Sequence, residues 1–219
     1  VLRSGAIVGR LCVIDTVPRP EGLSEMEKAM LQALARLASE NLELRRIATA
    51  SERLTALQTA LVEIGETIRS SHDTAGMASA TAAIVGRALS ADRAGFGSVN
   101  EDVDTIDVET DWTAPGAVSI AGRHRLDEYG SLREPLVVGD PLVVWDALTD
   151  DRTLHNLESA MRVGVRSLVD MPVRDRGKTI AVFFVHSAHP RPWPAEEISF
   201  LRSAADRLEA GVARHRTEQ

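Results

Sequence analysis

The chain has 219 residues, 44% of them hydrophobic and 26% charged, the balance of an ordinary globular protein with room for one large domain plus an appendage. Its formal net charge of −7 argues against a nucleic-acid partner, because such a face needs clustered Lys and Arg to displace counterions. A single cysteine, Cys12, allows no internal disulfide, and no run of about 18 uncharged apolar residues could span a membrane, so a reducing, cytoplasmic setting is expected.

Residues 9–20, GRLCVIDTVPRP, read as a buried strand leaving through a turn, yet little precedes them that could supply the rest of a sheet. The N-terminus has no basic flank, apolar stretch and small-residue cleavage site of the kind a signal peptide carries. The same pattern returns late in the chain as IAVFFVHSAHPRPWPAEEISFLRSAADRLEAGVARHR. Each copy has a hydrophobic strand, a polar exit, Pro-Arg-Pro, an acidic helix start and a Leu/Ala-rich helix ending in arginines. Gly5 and Gly177 hold the same place upstream. An internal repeat is therefore the first organising feature. Residues 1–46 are expected to be the C-terminal remnant of a first domain (strand plus helix). Residues 47–70 are then a helical linker and first helix, and 71–219 a second, complete domain ending in a connector helix.

In the long helical tract, Met30, Leu34, Leu37, Asn41, Leu44 and Ala48 fall on one stripe, and Leu54, Leu57, Leu61, Ile64 and Ile68 on another. The stripes are out of phase across Thr49–Ser51, where Thr49-x-x-Glu52 has the form of a capping box. Two helices, or one with a phase slip, fit equally. The stripe faces either a second chain in a parallel dimer or a folded-back helical hairpin.

DTAGMASATAAIVGRALSA (73–91) predicts a helix with Asp73 as N-cap. RAGFGSVN and TIDVETDW predict strands joined by EDVD, whose acidic residues lack the spacing of a calcium loop. VSIAGRHRLDEYGSLREPL predicts an irregular segment and a short helix stopped at Gly139. DPLVVWDALTD predicts a strand and DRTLHNLESAMRVG a helix. VRSLVDMPVRDRGKTIAVFFVHS predicts a hairpin turning at 175–177, and the last helix starts near Pro194. Ile180, Val182, Phe184 and His186 alternate with Ala181, Phe183, Val185 and Ser187, so both faces of that strand are covered. The class is α+β, an antiparallel sheet flanked by helices.

VVWDALTDDRT, GVRSLVDMPV and HSAHPRPWPAEEISFLRSAADRLEAGVARHR, in that order, resemble the second half of GAF domains, and VGRLCVIDTVPRP with LSEMEKAMLQALARLA resembles a GAF ending. The likeness covers 52–216 as a complete copy and 1–46 as the tail of another, and is nearest to GAF domains of bacterial sensor histidine kinases. It implies a GAF/PAS-like sheet with a long N-terminal signalling helix. It also implies a two-component sensor module that binds a small molecule or partner and relays its state through dimeric helices to an output such as a histidine kinase. The alternative is a degenerate GAF domain with a filled pocket that serves only for dimerisation. Phytochrome GAF domains share the plan and hold a bilin. His186 lies where they carry a pocket histidine, but their Asp-Ile-Pro motif is replaced by LDEYGSLREPL and no cysteine lies near, so bilin attachment is not expected and the cofactor is left open.

A ligand pocket is expected between the sheet and segment 110–165. Trp112, Tyr129, Trp145, Arg152, His155, Met161 and His186 are the ligand-binding candidates. Each has a plain structural alternative: Trp145 alternates with Val144, Arg152 has Asp150 and Asp151 beside it, and His186 could be a core histidine. His186-x-x-His189 lacks a third ligand, so no metal is expected. No phosphate loop, nucleophile elbow or placed cysteine supports catalysis in this chain.

Overall fold

The computed structural model describes residues 7, 9–100, 104–125, 138–154, 157–175 and 177–217. The chain divides into two compact units, Val1–Thr55 and Ala56–Gln219.

In the first unit, the described residues before α1 (Glu25–Ser70) form no strand, contrary to the reading of GRLCVID. A strand needs a hydrogen-bonded neighbour, and none stands beside it among the described residues. Leu11, Val13, Ile14 and Val17 are accordingly exposed. Helix α1 opens on a capping box: Ser24 Oγ accepts from the Glu27 N–H at 3.3 Å, and Glu27 accepts from the Ser24 N–H at 2.8 Å. It is one helix across Thr49–Ser51, so the second capping box is not used and the phase slip is absorbed within a continuous helix.

In the second unit, α1 contributes Leu57, Ala60, Ile64 and Ile68 to the core. Helix α2 (Thr74–Ala88) follows, with Asp73 as N-cap accepting from the Gly76 N–H at 2.7 Å. The strands are β1 (Arg93–Asn100), β2 (Thr105–Val108), β3 (Asp111–Thr113), β4 (Gly122–Arg125), β5 (Leu142–Val144), β6 (Ser167–Asp175) and β7 (Lys178–Ser187). Helix α3 (Leu157–Arg162) precedes β6, and α4 (Ala195–Thr217) closes the chain. Among the described residues these seven strands form one antiparallel sheet, ordered β4-β2-β1-β7-β6-β5, with β3 beside β1. TIDVETDW is two strands: β2 pairs with the end of β1 and β3 with its start, with a break at Glu109–Thr110. GRHR, read as irregular, is β4, an exposed strand that among the described residues pairs with β2 alone.

One face of the sheet carries Val169, Met171, Val173, Phe183 and Val185 against α1, α2 and α4, whose Met77, Val85, Phe200, Leu201 and Leu208 complete the main core. Phe96 stacks on Phe183 with ring centroids 4.2 Å apart. Ile180 joins this core and not the face of Val182. Pairing steps from Ala181 to Thr179 opposite Val173 to Arg174, so Ile180 is an extra residue and alternation restarts there. The other face carries Val182, Phe184 and His186. No described helix is long and apolar enough to cross a membrane.

Candidate functional site

On the face turned away from the helices, Arg93, Asp170 and His186 meet. Strand register sets them: Arg93 pairs with His186 between β1 and β7, and Leu168 with His186 between β6 and β7, which brings Asp170 one step along. Arg93 and Asp170 are both more than nine-tenths buried. A charge so placed costs several kcal/mol unless it is paired and hydrogen-bonded, so their partners define what the site can do.

Arg93 is committed to the loops. Its Nε donates to the Val118 carbonyl at 2.8 Å, its Nη2 to the Val163 carbonyl at 2.9 Å, and Asp111 Oδ2 lies 3.6 Å from Nε. Asp111 accepts from Ser119 Oγ at 2.5 Å and from the Ile120 N–H at 2.9 Å. Two buried charges thus pin residues 118–120 and 163 over the sheet. The remaining Arg93 nitrogen, Nη1, faces His186 Nδ1 at 3.4 Å. A guanidinium only donates, which assigns Nδ1 as acceptor and puts the ring proton on Nε2. Nε2 lies 3.4 Å from Asp170 Oδ1 without making a hydrogen bond to it, and the neutral ring carries no charge to pair with the carboxylate. Asp170 Oδ1 is buried and has no hydrogen-bond partner among the described residues. The Phe184 ring stacks on His186 at 5.0 Å.

Beside this chain of groups opens a cavity of about 290 Å³, bounded by Asp92, Arg93, residues 115–118, Val163, Gly164 and residues 186–188. Gly116 (φ +89) and Gly164 (φ +67) turn its two lips in the left-handed region that favours glycine. Further along β1 the face is occupied by the protein itself. A Cβ at Gly95 would meet the Phe184 ring at 2.5 Å, and one at Gly97 would meet Ile106 at 2.2 Å.

Of the expected site residues, His186 stands in this cluster. Trp112 does not: it pairs with Ala94, whose side faces the helices, and a Cβ at Gly86 of α2 would meet its ring at 2.1 Å. Strand parity sends it to the main core. Trp145 is 60% and Met161 57% exposed, both turned to solvent. Arg152 braces its own loop, donating to Asp150 Oδ1 at 2.8 Å and to the Val143 carbonyl at 2.6 Å. Those bonds from Arg152 hold the Asp150 carboxyl below its ordinary value. Nearby, the Leu148 N–H first and Arg166 second do the same for Asp146. Tyr129 and His155 lie outside the described residues. The sequence reading passed over Arg93, Asp111 and Asp170. The signal for Asp170 was present in SLVDMPV, a lone carboxylate inside an apolar strand. Among the described residues, no group of three or more His, Cys, Asp or Glu is placed to hold a metal ion.

The family model of the GAF domain matches residues 73–212. The chain is similar to the phycocyanobilin-bound GAF domain from a cyanobacterial phytochrome, with a TM-score of 0.65 and 20% identity over 74% of this chain and 97% of that one. It is similar to a free methionine-R-sulfoxide reductase from Neisseria meningitidis, solved with its substrate, at a TM-score of 0.62 and 20% identity over 74% and 92% of the two chains. The GAF domain from a phosphoenolpyruvate-protein phosphotransferase of Coxiella burnetii gives 0.62 and 15% over 75% and 97%. At these identities the likeness is one of fold. No curated protein sequence matches the chain.

Proposed function

Since the chain belongs to the GAF domain family, the sensory and regulatory modules of signalling proteins, we propose that its second unit binds a small molecule on the sheet face opposite the helices. The observation that carries this reading is the buried Arg93–His186–Asp170 chain beside a cavity of about 290 Å³. Asp170 Oδ1 is a buried acceptor without a donor 3.4 Å from His186 Nε2, and His186, which lines the cavity, is the group through which a ligand would act on it. Arg93 and Asp111 hold the covering loops, so occupancy of the cavity and loop position are coupled through them. A ligand acts as a signal only if it favours one loop state over another. In this reading the chain senses in the cytoplasm, as a dimer joined through its helices, and hands its state to an output such as a histidine kinase. Catalysis belongs to that output.

A second reading has an observation of its own. Phe184 over Gly95 and Ile106 over Gly97 fill much of the face with the protein's own side chains, as in a GAF domain kept only for dimerisation. Native mass spectrometry of the purified chain separates the two. The sensor reading expects a non-covalent small-molecule adduct that is lost in Asp170→Ala and His186→Ala. An adduct-free chain at micromolar concentration supports the filled pocket instead.

A further inference from the structure

Within the first unit, α1 exposes Met30 (61%), Leu34 (54%), Leu37 (55%) and Leu44 (66%) along one stripe. Their spacing of four and three residues, continued by Asn41 and Ala48, is a heptad repeat. Leu34, Asn41 and Ala48 take the a positions, and Met30, Leu37 and Leu44 take d. The seam has definite limits. The next d and a residues, Ser51 and Thr55, are polar, and beyond them Leu57, Ile64 and Ile68 are buried in the second unit's own core, although Val62, at the following a position, is exposed.

Two further features choose the occupant of the stripe. Asn41 is a lone polar residue at an a position, which in a two-stranded coiled coil is satisfied by the same residue of the other strand and penalises other registers. Glu40 falls at g and Arg45 at e of the next heptad, the two positions that face each other across a parallel seam. Both are exposed, and neither is in an ion pair among the described residues. In an antiparallel pair centred on Asn41, g would face g and e would face e, bringing Glu40 near Glu40 and setting Arg45 opposite Ala38, so that no Glu40–Arg45 pair forms. A parallel register shifted by one heptad would set one chain's Asn41 amide against Leu34 and the other's against Ala48.

We propose that residues 30–48 pair with a second copy of this chain as a parallel, in-register coiled coil, with Asn41 facing Asn41 and Glu40 of each chain facing Arg45 of the other. The proposal rests on the dimeric reading above and adds its partner, direction and register.

The test uses the full chain in a Cys12→Ser background. Under mild oxidation, Leu44→Cys and Ala48→Cys, on the seam, crosslink to dimers, whereas Arg46→Cys, on the outer face, does not. Glu40→Lys raises the dimer dissociation constant about tenfold in sedimentation, because two exposed pairs become repulsive. Adding Arg45→Glu restores it. A chain that is monomeric at micromolar concentration and crosslinks at neither position overturns the dimer and this proposal together. A dimer that crosslinks at neither position, or that Arg45→Glu fails to rescue, overturns the parallel register alone.

Discussion

Arg19 and Arg191 each stand in the middle of a Pro-Arg-Pro tripeptide, and each pairs with the glutamate at the third position of the helix that follows. Arg19 meets Glu27 at 3.0 Å, and Arg191 meets Glu197. The local construction is shared, but the surroundings are not. The first pair is open, with side chains 47% and 42% exposed; in the second, Glu197 is fully buried. Arg191 also donates to the Leu89 carbonyl at 2.9 Å and lies 4.2 Å over the ring of Trp193. That buried indole in turn donates to the Val144 carbonyl at 3.3 Å. The strand ahead of the second copy has β1 and β6 on its flanks, while residues 9–17 have no strand beside them among the described residues. Local sequence is therefore enough to turn the chain into a helix and cap it. Burial is supplied by residues 49 and 102 positions away, and among the described residues only the second copy has such partners.

Removing the arginine from each copy breaks that comparison most directly. Arg191→Ala leaves the buried Glu197 carboxylate without its guanidinium and strips the Leu89 carbonyl of a donor. A loss of about 3–5 kcal/mol is expected from such a change, read as a lowered urea midpoint. A loss below about 1 kcal/mol, the range of exposed pairs, would mean the two copies are equivalent after all. Next in size, Ser24→Ala removes the N-cap of α1 and costs about 1 kcal/mol of local stability, seen as faster amide exchange over residues 25–28. The urea midpoint of the second unit stays where it was. Arg19→Ala, in the open copy, leaves both that midpoint and the helix signal near 222 nm unchanged within error; a midpoint shift would show that the first copy is buried in solution.

Much of the fold could be read in advance because its signals are local. Asp73 caps α2, Gly177 turns the β6–β7 hairpin, and acidic residues open α4 just past Pro194. Where the reading failed, the deciding partner is distant in sequence. GRLCVID has the composition of a strand but, among the described residues, no neighbour to bond to, and GRHR has little strand character yet is held by β2. The candidate site divides the same way. Alternation put His186 on the open face. Trp112 went to the core because β3 is a separate strand whose register on β1 sets its direction. Arg93 and Asp170 carry no local periodicity at all. Their role appears only when β1, β7 and β6 lie side by side.

The smallest expected effect tests whether the open copy is held by chemistry of its own. The Glu27 carboxyl titrates below its ordinary value, first because the Ser24 hydroxyl donates to it, then through the Ser24 N–H and Arg19. Asp15 is lowered too, first by the Val17 N–H and then by Arg19. A carboxylate with a depressed folded-state pKa contributes stability that is present above its unfolded value, and it is lost as pH falls through the folded one. For Glu27 the contribution is complete above its ordinary 4.5 and fades below it. Protection factors for amides 25–28, corrected for intrinsic exchange, should therefore be flat from neutral pH down to about 5 and fall on further acidification. Glu27→Gln keeps a capping side chain but cannot titrate, so its profile should be flat throughout. Equal acid loss in wild type and Glu27→Gln would assign the effect to other carboxylates and leave the shared arginine–glutamate construction without a role in the first copy.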